Sequence, residues 1–304
     1  MSAPKLSVVI VNHNAKRFTV NCLASVAEKT TVPHEIVLVD NASSDDVLTE
    51  VGARFPDVRI ITNERNAGFA HANNQGMQAA RGSYVILLNN DTILKNAALD
   101  RMAAFLDAHE HVGALACKLY DGDGVTIQHN CRAFPAPLDT LFSRASLLTR
   151  LLPNNPRSAR NLVKDFDYQS VREVDWVSGA ALMTRRATID DVGLLDDQLY
   201  YMYWEDTDWC RRLRGRGWTV YFTPDAEIIH YGGQGGTRLE SLPHNVSMMF
   251  HKHYSAYKYF RKFDFRSSWH PMAIAIFAGM IVLVGVKAVV EAVRAVLGRG
   301  GLTK

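Results

Sequence analysis

Cysteine is scarce: Cys22, Cys117, Cys131 and Cys210 are scattered, and no two form a CxxC pair. That argues against a disulfide scaffold and a structural zinc site, and fits a reducing compartment. Charge of one sign is also scarce. Against 31 Asp and Glu stand 34 Lys and Arg, a formal net charge of +3. A general nucleic-acid binder carries a larger basic excess, so no nucleic-acid partner is expected. Compositional bias is absent: 47% of the 304 residues are hydrophobic and 21% charged, which excludes disordered and fibrous classes. The N-terminus lacks the apolar h-region of a signal peptide. The first apolar run, Leu6–Val11, leads into Asn12, His13 and Asn14 rather than GxGxxG, so a nicotinamide cofactor is not expected. The uncharged run Met272–Val286 is shorter than the ~20 residues of a membrane span.

What is present is a strand–helix alternation over the first 120 residues. Leu6–Val11, Glu35–Val39, Val58–Ile61 and Tyr84–Leu88 are short apolar runs, as strands covered on both faces require. Helical patterns fall at Phe18–Lys29, Asp45–Phe55, Ala70–Arg81 and Ala97–His109, with Ser44 expected to cap the second. This order predicts right-handed crossovers and a parallel sheet whose ligands bind beyond the strand C-termini. Polar residues follow the strands accordingly: Asn12 to Asn14, Asp40 and Asn41, Asn63 to Gly68, and Asn89 to Asp91.

Leu138–Leu152 has helical apolar spacing and is broken by Pro153 and Pro156. It is read as an insertion, either packed on the core or lying on a membrane. Further on, a strand is expected at Gly217–Phe222, then Pro224, then Ile228–His230 before a glycine loop. Lys252, Lys258, Arg261, Lys262 and Arg266 interleave with six Tyr and Phe residues ahead of the apolar C-terminal run. Extended to Leu297, that run is a single spanning helix, a monotopic one or a buried core helix. The basic cluster favours an anionic cytoplasmic leaflet, although a solvated helix face is the common account of such runs.

Asp91 follows an apolar strand, where a carboxylate can meet Mg²⁺ or Mn²⁺. An ordinary loop Asp explains it too. Glu205, Asp206 and Asp208 open a helix, where the dipole favours acids. The neighbouring Tyr200, Tyr201, Tyr203 and Trp204 suit a sugar-binding wall, beside which a carboxylate can serve as general base. His230 is either structural or a metal ligand.

Seven motifs occur in register: SVVIVNHN (7–14), VDNASSD (39–45), NERNAGFAHANNQG (63–76), YVILLNNDT (84–92), VSGAALMTRR (177–186), YWEDTDWCRRLRGRGW (203–218) and PDAEIIHYGG (224–233). From Lys5 to Arg238 the chain resembles the family 2 inverting glycosyltransferases, above all their rhamnosyltransferase-type group. The resemblance implies a GT-A fold, an α/β architecture with a mostly parallel, Rossmann-like central sheet and flanking helices, here followed by an apolar helix. It implies a transferase domain over 1–240, with a donor half to about 120, an acceptor half from 121 and a helical insertion at about 138–165. Residues 241–304 would form the basic aromatic segment and the membrane-associating helix.

The resemblance also implies roles. Asp206 looks like the catalytic base, with Glu205 positioning it or meeting the acceptor. Asp40 is similar to the residue that contacts the nucleotide base. Asn12 and Asn14 would cradle the nucleoside, and Asn66, Gly68, Asn74 and Asn90 would line the donor pocket. Asp91 matches the last carboxylate of a DXD motif that here reads Asn-Asn-Asp, and His230 a second ligand of Mn²⁺ or Mg²⁺. Arg238 would steady the diphosphate. Trp176, Ser178, Gly179, Tyr203 and Trp204 are candidates for the acceptor; a packed aromatic core and a tight Gly179 turn account for them equally.

The expected reaction is transfer of L-rhamnose from dTDP-rhamnose to a lipid-linked or growing cell-surface glycan. Alternatives are a UDP-linked galactofuranose, glucose or N-acetylglucosamine donor, or a membrane-bound binding protein without catalysis. The expected location is the cytoplasmic face of the cell membrane, with self-association left open.

Overall fold

In a computed structural model of the chain, residues 4–137, 139, 163, 166–233, 242–265, 267 and 269–299 are described. The insertion expected at 138–165 lies almost wholly outside them, as do Gln234, Gly235, Gly236 and Arg238. The chain divides into two compact units. The first is Met1–Asp197 with Glu205–Thr237; the second is Gln198–Trp204 with Arg238–Lys304.

The first unit follows the expected alternation. Strands β1 (Leu6–Asn12), β2 (His34–Asp40), β3 (Arg59–Thr62) and β4 (Tyr84–Asn89) alternate with helices α1 (Lys16–Lys29), α2 (Val47–Arg54) and α3 (Phe69–Ala79). Then follow β5 (Thr92–Leu94), α4 (Ala98–Ala108), β6 (Val112–Tyr120) and the short β7 (Ile127–Gln128), β8 (Cys131–Arg132), β9 (Arg172–Glu173) and β10 (Trp176–Val177). The unit closes with β11 (Ala181–Arg185), α5 (Arg186–Val192), α6 (Glu205–Gly215) and β12 (Thr219–His230).

One sheet takes the order β3-β2-β1-β4-β11-β6-β12-β5. β1, β2, β3 and β4 are parallel, as are β6 and β12, while β11 runs antiparallel between β4 and β6. Because both faces are covered, successive residues of β1 enter different cores. Val8 and Ile10 share a core with Val20, Leu23 and Val26 of α1, whereas Val9 belongs to the core that holds Met77 of α3 and Trp209 of α6. Each such aliphatic burial is worth about 1.5–3 kcal/mol, which is why the run needs no polar alternation. Register then aligns the strand ends: Asn12 lies opposite Asp40, and Val11 opposite Asn89. The strand order reverses at β1, between β2 and β4, so their C-terminal ends form the crevice.

Two local expectations are corrected. Ser44 is not the cap of α2, which starts at Val47; its backbone N–H and hydroxyl both donate to Asn14 Oδ1. The segments on either side of Pro224 are one strand, β12, with a register shift between Thr223 and Glu227. Proline lacks the N–H that a ladder needs, and a bulge absorbs it without ending the strand.

The second unit contains α7 (Leu242–Phe263) and α8 (Pro271–Arg299). Tyr200, Tyr259, Phe260, Phe265 and Ala273 form its core. Along α8, Ala273 and Met280 are buried, while Ile274, Ile281, Val282, Val286 and Val289 are exposed.

Candidate active site

Three loops at the C-terminal ends of β1, β2 and β4 are tied together by one asparagine. Asn12 Nδ2 donates to Asp40 Oδ1 (2.9 Å) and to Ser43 Oγ (2.9 Å). Its Oδ1 accepts from Thr19 Oγ1 (2.6 Å) and Asn90 Nδ2 (3.0 Å). Asn12 is fully buried, so it fastens the crevice from beneath rather than lying open to a nucleoside. Asn90 is also buried, with its amide N–H groups directed to Asn12 and Thr19. Asp40 is 3% exposed and accepts from Asn12 and from the hydroxyl and backbone N–H of Ser43, which gives it the shape of the 41–44 loop to hold. Asn74, on α3, donates to Leu195 O (2.8 Å) and accepts from Leu195 N (3.0 Å). All four of these residues are buried and hydrogen-bonded within the protein. Asn14 is exposed, in a left-handed conformation (φ 50°) that Asn tolerates, and braces Ser44. Asn66 Oδ1 accepts from Asn41 Nδ2 and from Gly68 N–H, and Gly68 enters α3 at φ 89°, where a side chain would be strained.

Asp91 and His230 are brought together by pairing alone. β5 lies antiparallel to β12, which sets His230 opposite Thr92, one residue past Asp91. Asp91 Oδ1 and His230 Nε2 are 3.2 Å apart, and Asp91 is buried. Asn89 Nδ2 is 3.2 Å from the same imidazole nitrogen. On the other side of the ring, Gln128 Oε1 lies 2.9 Å from Nδ1, and Gln128 Nε2 donates to His230 O (2.7 Å). Among the described residues no group of three or more His, Cys, Asp and Glu converges on one point. The pair nevertheless fits a divalent ion: an imidazole nitrogen and a carboxylate oxygen face each other, and Mg²⁺-type ions take few protein ligands when phosphates supply the rest.

Glu205 and Asp206 open α6 and differ in surroundings. Asp206 is partly exposed; its Oδ2 accepts from Gly179 N–H (3.1 Å), and its Oδ1 from the N–H (2.7 Å) and hydroxyl (3.2 Å) of Thr207. Burial raises its pKa, and these donors oppose the rise. Glu205 is buried, and its Oε2 has no hydrogen-bond partner. Burial first, then the charges of Asp206 and Asp208, push its carboxyl well above the usual range. Asp208, fully buried, is held by Arg212 (2.7 Å), which also donates to Val192 O and Leu194 O.

Asp206 and the Asp91–His230 pair share a support. Gly179 N–H meets Asp206, while the carbonyl of the next residue, Ala180, accepts from Asn89 N–H (2.9 Å). A Cβ at Gly179 would stand 3.4 Å from Phe69 and 3.8 Å from Asp206, ordinary contact distances, so space alone does not demand glycine there. Of the other acceptor candidates, Trp176 Nε1 donates to Ala133 O, and Ser178 N–H to Asn130 O. Tyr203 and Trp204 belong to the second unit, where Trp204 packs on Tyr259 and Phe260. Both adopt positive φ (69° and 74°), a strained choice for bulky residues that no sequence pattern signals. Gln128 was also beyond sequence reasoning. It sits in a two-residue strand, and only its pairing with β6 brings it to His230.

Comparison with known proteins bears on the family and the fold. A model of glycosyl transferase family 2 matches residues 7–166. N-acetylglucosaminyl-diphospho-decaprenol L-rhamnosyltransferase of Mycobacterium tuberculosis is 28% identical over 237 residues, covering 74% of this chain and 76% of that protein. Among solved structures, GalNAc-T7 with UDP, GalNAc and Mn²⁺ superposes with a TM-score of 0.57 at 20% identity, over 86% of this chain but 51% of that one. The mannosyltransferase PcManGT from Pyrobaculum calidifontis, with GDP-Man and Mn²⁺, gives 0.54 at 16% identity over 97% of this chain and 81% of its own. At these identities the structural matches speak for a GT-A fold alone. With the family model spanning more than half of the chain, the protein belongs to glycosyl transferase family 2 and is a nucleotide-sugar-dependent glycosyltransferase.

Proposed function

We propose that this protein is an inverting transferase that moves L-rhamnose from dTDP-rhamnose to a lipid-linked glycan at a membrane surface. The observation that carries the mechanism is the Gly179–Ala180 support, which fixes Asp206 relative to the turn bearing Asp91. Asp206 takes the proton of an acceptor hydroxyl as that oxygen attacks the anomeric carbon. The bond from that carbon to the diphosphate oxygen breaks, the nucleoside diphosphate leaves, and one displacement inverts the centre. Asp91 and His230 would hold Mn²⁺ or Mg²⁺; when bound, the ion neutralises charge on the departing diphosphate. The described part of the site offers Asn14, Asn66 and the Gly68 turn to the donor. The rhamnosyl donor and lipid-linked acceptor are supported by the mycobacterial relative's name. Membrane association is supported by one helix, Pro271–Val290, long and apolar enough to span a bilayer and mostly unburied.

The test is nucleotide release across a panel of dTDP- and UDP-sugars, with Mn²⁺ or Mg²⁺, with and without a detergent-solubilised polyprenyl-diphosphate glycan. Metal-dependent release from dTDP-rhamnose, stimulated by the lipid glycan, is the expected result. Turnover confined to a UDP-sugar would replace the donor.

A further inference from the structure

Gln128 lies outside every motif that marks the family resemblance, yet it contacts His230 twice. Strand β7 pairs antiparallel with β6, setting Gln128 opposite Leu119. From there its Nε2 donates to the His230 carbonyl (2.7 Å), and its Oε1 stands 2.9 Å from His230 Nδ1. A carbonyl oxygen only accepts, so the amide nitrogen must be the atom facing it. That choice leaves Oε1 facing the ring. Oε1 also only accepts, so Nδ1 must carry hydrogen. In the neutral ring that leaves the lone pair at Nε2, the atom that faces Asp91 Oδ1 (3.2 Å) and the Asn89 side-chain nitrogen (3.2 Å). An ion placed there would be ligated by Nε2 and by the Asp91 carboxylate together.

We propose that Gln128 is a positioning residue for the cation site, holding His230 as the Nδ1–H tautomer so that Nε2 is aimed at an ion shared with Asp91. This rests on the reading of Asp91 and His230 as metal ligands. Groups that orient a ligating histidine through its second nitrogen fix its tautomer, and losing one costs roughly 10–100-fold in metal affinity.

The experiment has two arms on the full-length protein. In the metal-free protein, ¹⁵N-histidine NMR reads the tautomer of His230, assigned by the signal lost in His230→Ala. Wild type is expected to show Nδ1–H, and Gln128→Leu a shift toward the other tautomer. In the second arm, electron paramagnetic resonance measures Mn²⁺ binding with dTDP present. Gln128→Leu is expected to weaken it about 10–100-fold. Gln128→Glu keeps an acceptor for Nδ1–H and is expected to stay within a few-fold of wild type, which separates lost orientation from a damaged fold. An Nε2–H tautomer in wild type, or unchanged Mn²⁺ affinity in Gln128→Leu beside a wild type that binds, overturns the role of Gln128. No Mn²⁺ binding by wild type, with Nδ1–H intact, overturns the cation site itself and the proposal with it.

Discussion

Asp206 and Glu205 are neighbours in sequence but meet different surroundings, and the difference sorts their roles. Asp206 has three donors that stabilise its ionised form, and Glu205 has an oxygen with none. Asp206→Asn is expected to keep nucleotide binding and lose transfer by at least ~10²-fold, the usual worth of a general base. A variant as fast as wild type would remove Asp206 from that role. Since burial raises the Asp206 pKa above its ordinary 3.8, transfer should decline as pH falls through that raised value, giving an acid limb above pH 3.8 in a pH–rate profile. For Glu205 the linkage to stability has a definite sign. Its folded pKa is raised, so the folded state binds protons more tightly than the unfolded state. Stability is therefore fully present below the ordinary 4.5 and is lost as pH rises toward the folded value. Glu205→Gln removes that cost. Its melting temperature should exceed wild type at pH 7, by about 2–4 °C for each kcal/mol of ionisation cost removed, with the gap closing at pH 4. A gap that persisted at pH 4 would mean that ionisation is not its source.

Helix α3 shows how one element is fitted both to its sheet and to the site. Gly76 faces β1, and an added Cβ would collide with the Val9 side chain. Alanine is the better helix former by about 1 kcal/mol. Overpacking a filled core costs ~1–3 kcal/mol, so Gly76→Ala is expected to lower the urea midpoint with an unchanged slope. A higher midpoint would show that Val9 yields freely. The same helix carries Asn74, whose amide completes both hydrogen-bonding groups of Leu195. Asn74→Ala would strand the buried Leu195 N–H, at roughly 1–3 kcal/mol, while the Leu195 carbonyl keeps the Asp197 N–H (3.0 Å). The loss should appear as stability, measured by urea unfolding, with the nucleotide KM nearly constant. A raised KM at full stability would instead restore Asn74 to the donor pocket.

At the scale of the whole molecule, the second unit carries apolar surface that its own packing leaves uncovered. Ile281 is 49% and Val282 65% exposed on α8, and Trp269 before the helix is 83% exposed. Twenty residues, Pro271–Val290, rise about 30 Å as a helix, the thickness of a bilayer's hydrocarbon core. Wild type is expected to float with anionic phospholipid vesicles. Replacing Ile281 and Val282 together by Asp should leave the protein in the aqueous fraction, because each charge costs about 2.5–3.5 kcal/mol at a helix centre in a membrane. Flotation of the double variant would place the contact elsewhere.

Much of this was legible in the chain itself. Apolar runs such as Leu6–Val11 announced strands covered on both faces, since period and composition are local properties. The acidic opening of α6 and the Asn-Asn-Asp turn after β4 were readable for the same reason. Local pattern could not foresee that Asn12, Asn74 and Asn90 face inward. An asparagine that binds a ligand and one that clamps a loop have the same side chain, and only its neighbours in space tell them apart. Nor could it bring Gln128 and Asn89 to opposite edges of the His230 ring. Those contacts cross about 100 and 140 residues of chain, and they exist because β7 pairs with β6 and β12 with β5. Sequence alone determined the main strands and helices of the first 120 residues, the family resemblance and the candidate chemistry. Tertiary pairing decided which polar groups are spent on each other and which are left to act.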